Sequence, residues 1–328
     1  MILTCVSKEA AAHVKWFCAF DVAESPKSLD WALDRDFIRL VLVASAVFMI
    51  ASLVGNSILG RAIVWSIDRV TARLGYKTET LMRATYGAFF VSLWSVGGII
   101  LTPELTTSVV AISWMQLAIA MCFIWRQTLM LAAAGMVILY GYAIENFGLF
   151  HLMDYPIFLG AAGYFFLLAR GRTRWGVMPL DVVRCAASVT LMWASVEKWG
   201  YPQWTYPLFV THPDMSMGFD VAFFMKAAGV VEFSLAFALI GTPLMRRTAA
   251  IVLASMFVTA ILEFGKIDAM GHAPIIVVLL AIAADDRPGR RHSPFTAPAC
   301  YLAALVTVVV AYYAGHAGLF PASGPYAH

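Results

Sequence analysis

The sequence predicts an all-α, polytopic membrane protein of about ten transmembrane helices. Three observations predict it. Apolar residues make up 61% of the chain and charged residues 13%, against about 25% charge in an ordinary soluble protein. Mean hydropathy is +0.77. The apolar residues gather into runs of roughly 15–24 residues between short polar breaks, the length a helix needs to cross a hydrocarbon core about 30 Å thick. These runs are continuous and rich in Leu, Ala, Met and Phe, whereas the strands of a membrane barrel alternate.

Residues 1–36 carry Lys8, Glu9, Lys15, Asp21, Glu24, Lys27, Asp30, Asp34 and Arg35. They lack the uninterrupted apolar core of a signal peptide and read as an extramembrane segment, amphipathic around Ala10–Phe20. The unit 37–79 holds a first span at 37–58 and an interfacial helix at Ala62–Gly75, marked by Asp68, Arg69 and Arg73. Spans near 80–101, 109–125, 128–147 and 155–169 make a four-helix unit over 80–169. Spans near 179–197, 223–242, 247–264 and 273–285 make a second within 170–296. A last span, 297–319, and a tail complete 297–328. The fifth and ninth spans are short for the core of a bilayer, which implies shifted boundaries or local thinning.

The two units read as a repeat. The first contains Glu145-Asn146-Phe147-Gly148-Leu149-Phe150-His151-Leu152-Met153-Asp154-Tyr155-Pro156, and the second Glu263-Phe264-Gly265-Lys266-Ile267-Asp268-Ala269-Met270-Gly271-His272-Ala273-Pro274. Each joins two apolar runs with a Glu, a Phe-Gly break, a Met, a His, an acid and a Pro. Arg83 and Trp94 parallel Arg184 and Trp193, and Gln116 parallels Glu232. Four helices is an even number, so the units run in the same sense, as parallel repeats do. The first and last spans are additions at each end.

Lys and Arg set the orientation. Arg61, Arg69, Arg73, Lys77, Arg126, Arg170, Arg172, Arg174, Arg246, Arg247, Arg287, Arg290 and Arg291 fall on one set of loops, and only Lys198, Lys226 and Lys266 on the other. The arginine-rich loops are therefore expected in the cytoplasm of a bacterial-type inner membrane. The N-terminal segment then lies outside, against the direction its own basic residues favour. Net charge is +3, and no Lys/Arg block points to nucleic acid. Five scattered cysteines form no C-x-x-C pair. Cys122, Cys185 and Cys300 read as packing residues, while Cys5 and Cys18 could pair outside the cell.

This topology gathers ionisable groups at the outer end. Glu197 and Lys198 close one span there. Glu232 lies six residues beyond Lys226, about 9 Å along a helix, so it sits below the interface. It is either a structural partner of Lys198 or Lys226, or a proton-accepting acid suited to quinone chemistry. Glu197 and Lys198 either snorkel to water or join that site. Glu263 and Glu145 sit where a helix meets its Phe-Gly break, as turn or interface residues or as functional acids. Glu104, Asp154 and Asp214 share this end. Trp193, Asp268 and His272 are candidate residues for holding a quinone-sized cofactor, Trp193 also being readable as core.

A second chemistry is copper. His151 and Met153, Met270 and His272, and His212 with Met215 and Met217 put imidazole beside thioether, the donors Cu(I) favours. The 16 methionines also place some near histidine by chance. The chain lacks finger-type zinc spacing, a nucleophile elbow, a Walker motif, a His-Glu-x-x-His run and a dinucleotide fingerprint. Of the seven histidines only His316 lies in an apolar run, which argues against a bis-His haem.

Arg184 in an apolar helix, the run Trp193-Ala194-Ser195-Val196-Glu197-Lys198 with Pro202 soon after, Gly229-Val230-Val231-Glu232, and Gly241 before Arg246-Arg247 resemble the DoxX/DoxD-like integral membrane proteins. The resemblance covers about residues 179–285, with a fainter echo at 80–169. It implies a four-helix membrane partner of redox systems. DoxD-like members form part of thiosulfate:quinone oxidoreductase, and others associate with oxidative-stress enzymes or with maturation of periplasmic redox proteins. The family pattern maps onto Glu197, Lys198 and Glu232. This chain departs from it in being a tandem with extra spans, and its first unit has Gly97-Gly98 where the second has Glu197-Lys198.

Three functions remain open from the sequence. One is a membrane subunit of a quinone-linked, sulfur-compound or related redox system, partnered by other membrane or periplasmic subunits. A second is a transporter or copper-handling protein. The third is a non-catalytic anchor or assembly subunit.

Overall fold

Each of the ten apolar runs is a helix in the computed structural model, which describes residues 20–171, 176–289 and 293–321. The expected amphipathic stretch before Phe20, Cys5, Cys18, Arg172, Arg174, Arg290, Arg291 and the Asp214 side chain lie outside the described residues. The helices are α1 (Leu29–Ala32), α2 (Arg35–Gly55), α3 (Ile58–Val96), α4 (Val110–Cys122), α5 (Leu129–Phe147), α6 (Leu149–Leu152), α7 (Pro156–Arg170), α8 (Pro179–Gly200), α9 (Pro202–Thr211), α10 (Val221–Ala238), α11 (Pro243–Phe264), α12 (Lys266–Ala283) and α13 (Thr296–Leu319). Six segments, Arg35–Gly55, Arg126–Phe147 and helices α10 to α13, are long and apolar enough to cross a bilayer, and α4 and α7 are shorter apolar helices. The chain is an all-α, multi-span integral membrane protein by helix length and hydropathy.

Local chemistry sets the helix ends. Asp34 accepts from the Phe37 N–H at 3.0 Å and starts α2, and Asp220 does the same for Phe223 and α10. Proline opens α7, α8, α9 and α11, where its missing N–H costs nothing. The two Phe-Gly breaks share one geometry. Gly148 has φ 83° and Gly265 φ 80°, with extended ψ, a region essentially restricted to glycine. Each donates its N–H to the carbonyl four residues back, Ile144 and Ile261, at 2.9 Å. The motif is thus a helix stop in both copies.

Two expectations change. The stretch 62–75 is no separate interfacial helix but part of α3, which runs unbroken for 39 residues. At 1.5 Å per residue that is about 58 Å, so α3 outruns any single bilayer crossing. Its charged half stays helical because α11 grips it. Arg247, fully buried, pairs with Asp68, donates to Thr71 Oγ1 at 3.0 Å and to the Ala283 carbonyl at 2.8 Å. The ninth span starts earlier than 273, because Pro274 lies inside α12 rather than at its head.

The helices pack in a ring. Chain order α3, α4, α5, α7, α8, α10, α11, α12 gives successive neighbours, and α12 returns to α3. Aromatic rings fill the helix contacts, with Tyr86, Phe123 and Phe165 packed together in one half and Phe233 and Phe237 of α10 packed on Tyr301 of α13 in the other. The outer helices α2 and α13 pack on each other and on α10. Residues 20–34 fold back over one end of the bundle. The Lys27 N–H donates to the Gly200 carbonyl at 2.8 Å, Tyr313 donates to the Lys27 carbonyl at 3.0 Å, and Lys226 meets Asp34 at 2.7 Å. The N-terminal segment therefore shares an end with the C-termini of α8 and α13.

Candidate functional site at the α8 and α10 end

Helix α8 sets the frame of the site. Trp193 and Glu197 are four residues apart and share one face, while Lys198 lies a step round the helix. Gly229 of α10 allows the Trp199 ring to lie against it, since even one added carbon there would come within 2.5 Å of that ring. This close approach brings Lys198 Nζ to 3.1 Å from Glu232 Oε2, each side chain about one quarter exposed. The pair is half-shielded from water, so it retains more attraction than a surface pair and can still exchange with solvent.

The other face of α8 meets α6 and α13. Trp193 packs on Phe150 and Tyr312, with ring centroids 5.5 and 4.8 Å apart. Glu197 and Asp154 both lie within electrostatic reach of Tyr312. Trp193 Nε1 and the Tyr312 hydroxyl are buried and have no hydrogen-bond partner among the described residues. Buried donors are normally satisfied, so this pair marks a place where an acceptor would be stabilised. His316 reaches the Val22 carbonyl at 3.2 Å, and Glu24 accepts from Trp204 Nε1 and Gln203 Nε2 at 3.0 Å, which ties the 20–34 segment over this cluster.

The expected site residues fall into separate groups. Glu232 joins Lys198. Glu197 faces the Tyr312 side. Glu263, with its side chain 60% exposed, pairs with His212 at 3.5 Å. Asp268 and His272 form a buried pair on successive turns of α12, Oδ2 to Nδ1 at 3.0 Å, with Phe257 against the imidazole. His151 is buried near Glu104, 3.8 Å away, and Glu104 also accepts from the Tyr155 hydroxyl. The thioethers are scattered: Met153 and Met270 pack on the main core, Met215 on Leu208 and Phe264, and Met217 is exposed. Among the described residues no three His, Cys, Asp or Glu side chains gather to hold a metal ion.

Gln116, set against Glu232 in the sequence, makes a different contact. It donates to the Ile99 carbonyl at 2.9 Å and to the Ile100 carbonyl. Both carbonyls lie just after Gly97-Gly98.

A second polar cluster, at the opposite end, was not foreseen. Asp285 meets Arg287 at 2.7 Å and Arg246 at 3.1 Å, Asp181 meets Arg287 at 2.8 Å and Arg184 at 2.9 Å, and Arg247 meets Asp68. Burial alone would raise the Asp285 carboxyl, but hydrogen bonds from Arg287 and the charge of Arg246 hold it below the usual carboxylate range. Arg287 is raised in turn, first by its bond to Asp285. In the sequence Arg246, Arg247 and Arg287 served as orientation markers and Arg184 as part of a motif, and none was given an acidic partner. The signal that could have found the cluster is the set of acids, Asp68, Asp181 and Asp285, standing among them.

Compared with known proteins, the chain matches no family model, no curated protein and no solved structure.

Proposed function

We propose that this protein is the membrane subunit of a quinone-linked redox system, and that Lys198, Glu232 and Glu197 form its proton-exchanging site. The observation that carries this reading is the half-buried Lys198–Glu232 pair between α8 and α10. A quinone carbonyl needs a donor, and its reduction takes up two protons with two electrons. A lysine ammonium is a donor, and a shielded carboxylate beside it can relay protons. Trp193 and Tyr312 add aromatic walls and two buried donors on the neighbouring face. The sequence carries no redox-cofactor motif, so a partner subunit supplies the electrons.

The reading includes ten spans and two parallel four-helix units, with the arginine-rich end cytoplasmic and residues 20–34 outside. The ring order of the helices, the matched stops at Gly148 and Gly265, and the exchange of Glu232 for Gln116 support the repeat. The DoxX/DoxD-like resemblance at 179–285 rests on the residues themselves and supports the redox association. Glu263 with His212, and Asp268 with His272, are acid–imidazole pairs separate from the Lys198–Glu232 contact. The scatter of His151, Met153, His212, Met215, Met217 and Met270 gives copper no comparable support.

The test uses complexes drawn from native membranes in mild detergent. Glu232→Gln and Glu197→Gln are expected to lower quinone reduction about a hundredfold or more, the general acid–base range, with partner subunits still bound. Unchanged activity in both variants contradicts the proposal. Loss of the partners with no other effect favours an anchor role.

A further inference from the structure

Two cavities meet where α2 passes α11, at the end of the bundle opposite the Lys198–Glu232 pair. The first, about 670 Å³, is walled by Asn56, Arg61, Trp65, Asp68 and Thr242 among others. The second, about 550 Å³, is an apolar groove along α2, α10 and α11, walled by residues such as Val47, Ala51, Leu235 and Val252. Leu244 and Met245 border both, so a chamber with several polar groups in its wall adjoins an apolar groove. Both volumes suit a bound small molecule, for which about 300–1,000 Å³ is usual.

We propose that this is a binding site for one anionic phospholipid, its head group in the chamber and an acyl chain in the groove. The groove contains two hydroxyls, Ser234 and Thr248, and each already donates to a backbone carbonyl within its own helix, at 2.6 and 2.7 Å. Hydrocarbon fits there, and a polar ligand would find no donor. The chamber has positive character. Arg61 has no carboxylate partner among the described residues, whereas Asp68 on the same wall is committed to Arg247. A choline head group therefore meets no available carboxylate from Asp68, while a phosphodiester meets the Arg61 guanidinium. The Thr242 hydroxyl is buried, has no partner among the described residues and is a second donor for phosphate. Trp65 carries the Arg69 guanidinium over its ring at 3.7 Å, an aromatic and basic pairing suited to the head-group level of a bilayer. A free phosphate would leave the groove unfilled, and a neutral quinone would leave Arg61 facing no charge.

The test is native mass spectrometry of the full-length protein, purified in mild detergent and exchanged with an equal mixture of palmitoyl-oleoyl phosphatidylglycerol and phosphatidylcholine. The wild type is expected to retain one phosphatidylglycerol with a preference of about fivefold, the worth of one basic residue at an anionic head group. Arg61→Gln is expected to erase the preference, and Ala51→Phe, which fills the groove, to lose both lipids. Both variants are checked for monodisperse elution and an unchanged melting temperature. Equal retention of the two lipids by the wild type overturns the proposal. So does a preference that Arg61→Gln leaves intact, or a retained quinone in place of phospholipid.

Discussion

Gly148 and Gly265 end α5 and α11 in a backbone conformation that a side chain resists. Replacing either with Ala is expected to destabilise the protein by about 1–3 kcal/mol, the cost of holding a non-glycine residue in such a region. The two losses should be similar, because the two stops share φ and the same carbonyl bond. Gly141→Ala, at an exposed helical position with open space around it, should be neutral or slightly stabilising. Thermal melting in detergent separates these cases, and a neutral Gly265→Ala would remove the main support for a shared turn. At the same scale, the sequence already singled out Glu232 by its contrast with Gln116. It could not choose between Lys198 and Lys226 as its partner. The choice depends on Gly229, whose lack of a side chain lets α8 approach, and on Asp34, which occupies Lys226 from a distant part of the chain.

Among the elements, α3 and α12 were the hardest to read, for one reason. Charges in α3 lower its hydropathy, and Pro274 in α12 resembles a helix start, so local patterns suggested boundaries. Tertiary contacts override them. Arg247 clamps α3 from the side, and its removal should be costly. Arg247→Ala is expected to destabilise by about 1.5–3 kcal/mol, as loss of hydrogen bonds from a charged group does, and to cost less when Asp68→Asn is already present, the bonds to Thr71 and Ala283 accounting for the remainder. Equal losses in both backgrounds would show that the pair does not couple. Asp285 gives the cluster a pH dependence. Its folded carboxyl lies below the ordinary range, so its contribution is complete above the unfolded value of about 3.9 and is lost as pH falls through the lower folded value. The melting difference between wild type and Asp285→Asn should be constant from pH 7 to about 5 and shrink below about 4. A difference that grows on acidification contradicts this assignment.

The architecture of the whole molecule was legible where apolar length decides it. Ten apolar runs became helices, and the ring closes where α12 meets α3, as it does where α7 meets α8. The polar sites were less legible, because their partners are far apart in the chain: Arg287 reaches Asp181, and Glu24 reaches Trp204. The ionisable residues expected at the α8 end divide among the Lys198–Glu232 pair, the Glu197 and Tyr312 side, and the Glu263–His212 pair. Residues 20–34, read from the sequence only as part of an extramembrane segment, cover that end. The central claim is that the Lys198–Glu232 pair holds a quinone. Equilibrium dialysis of a short-chain ubiquinone analogue against the purified protein tests it most directly. Saturable binding by the wild type, weakened about tenfold or more in Glu232→Gln and in Lys198→Gln, is the expected result, since losing a hydrogen bond to a charged group costs about 1.5–3 kcal/mol. No saturable binding by the wild type, or equal binding by all three proteins, would contradict it.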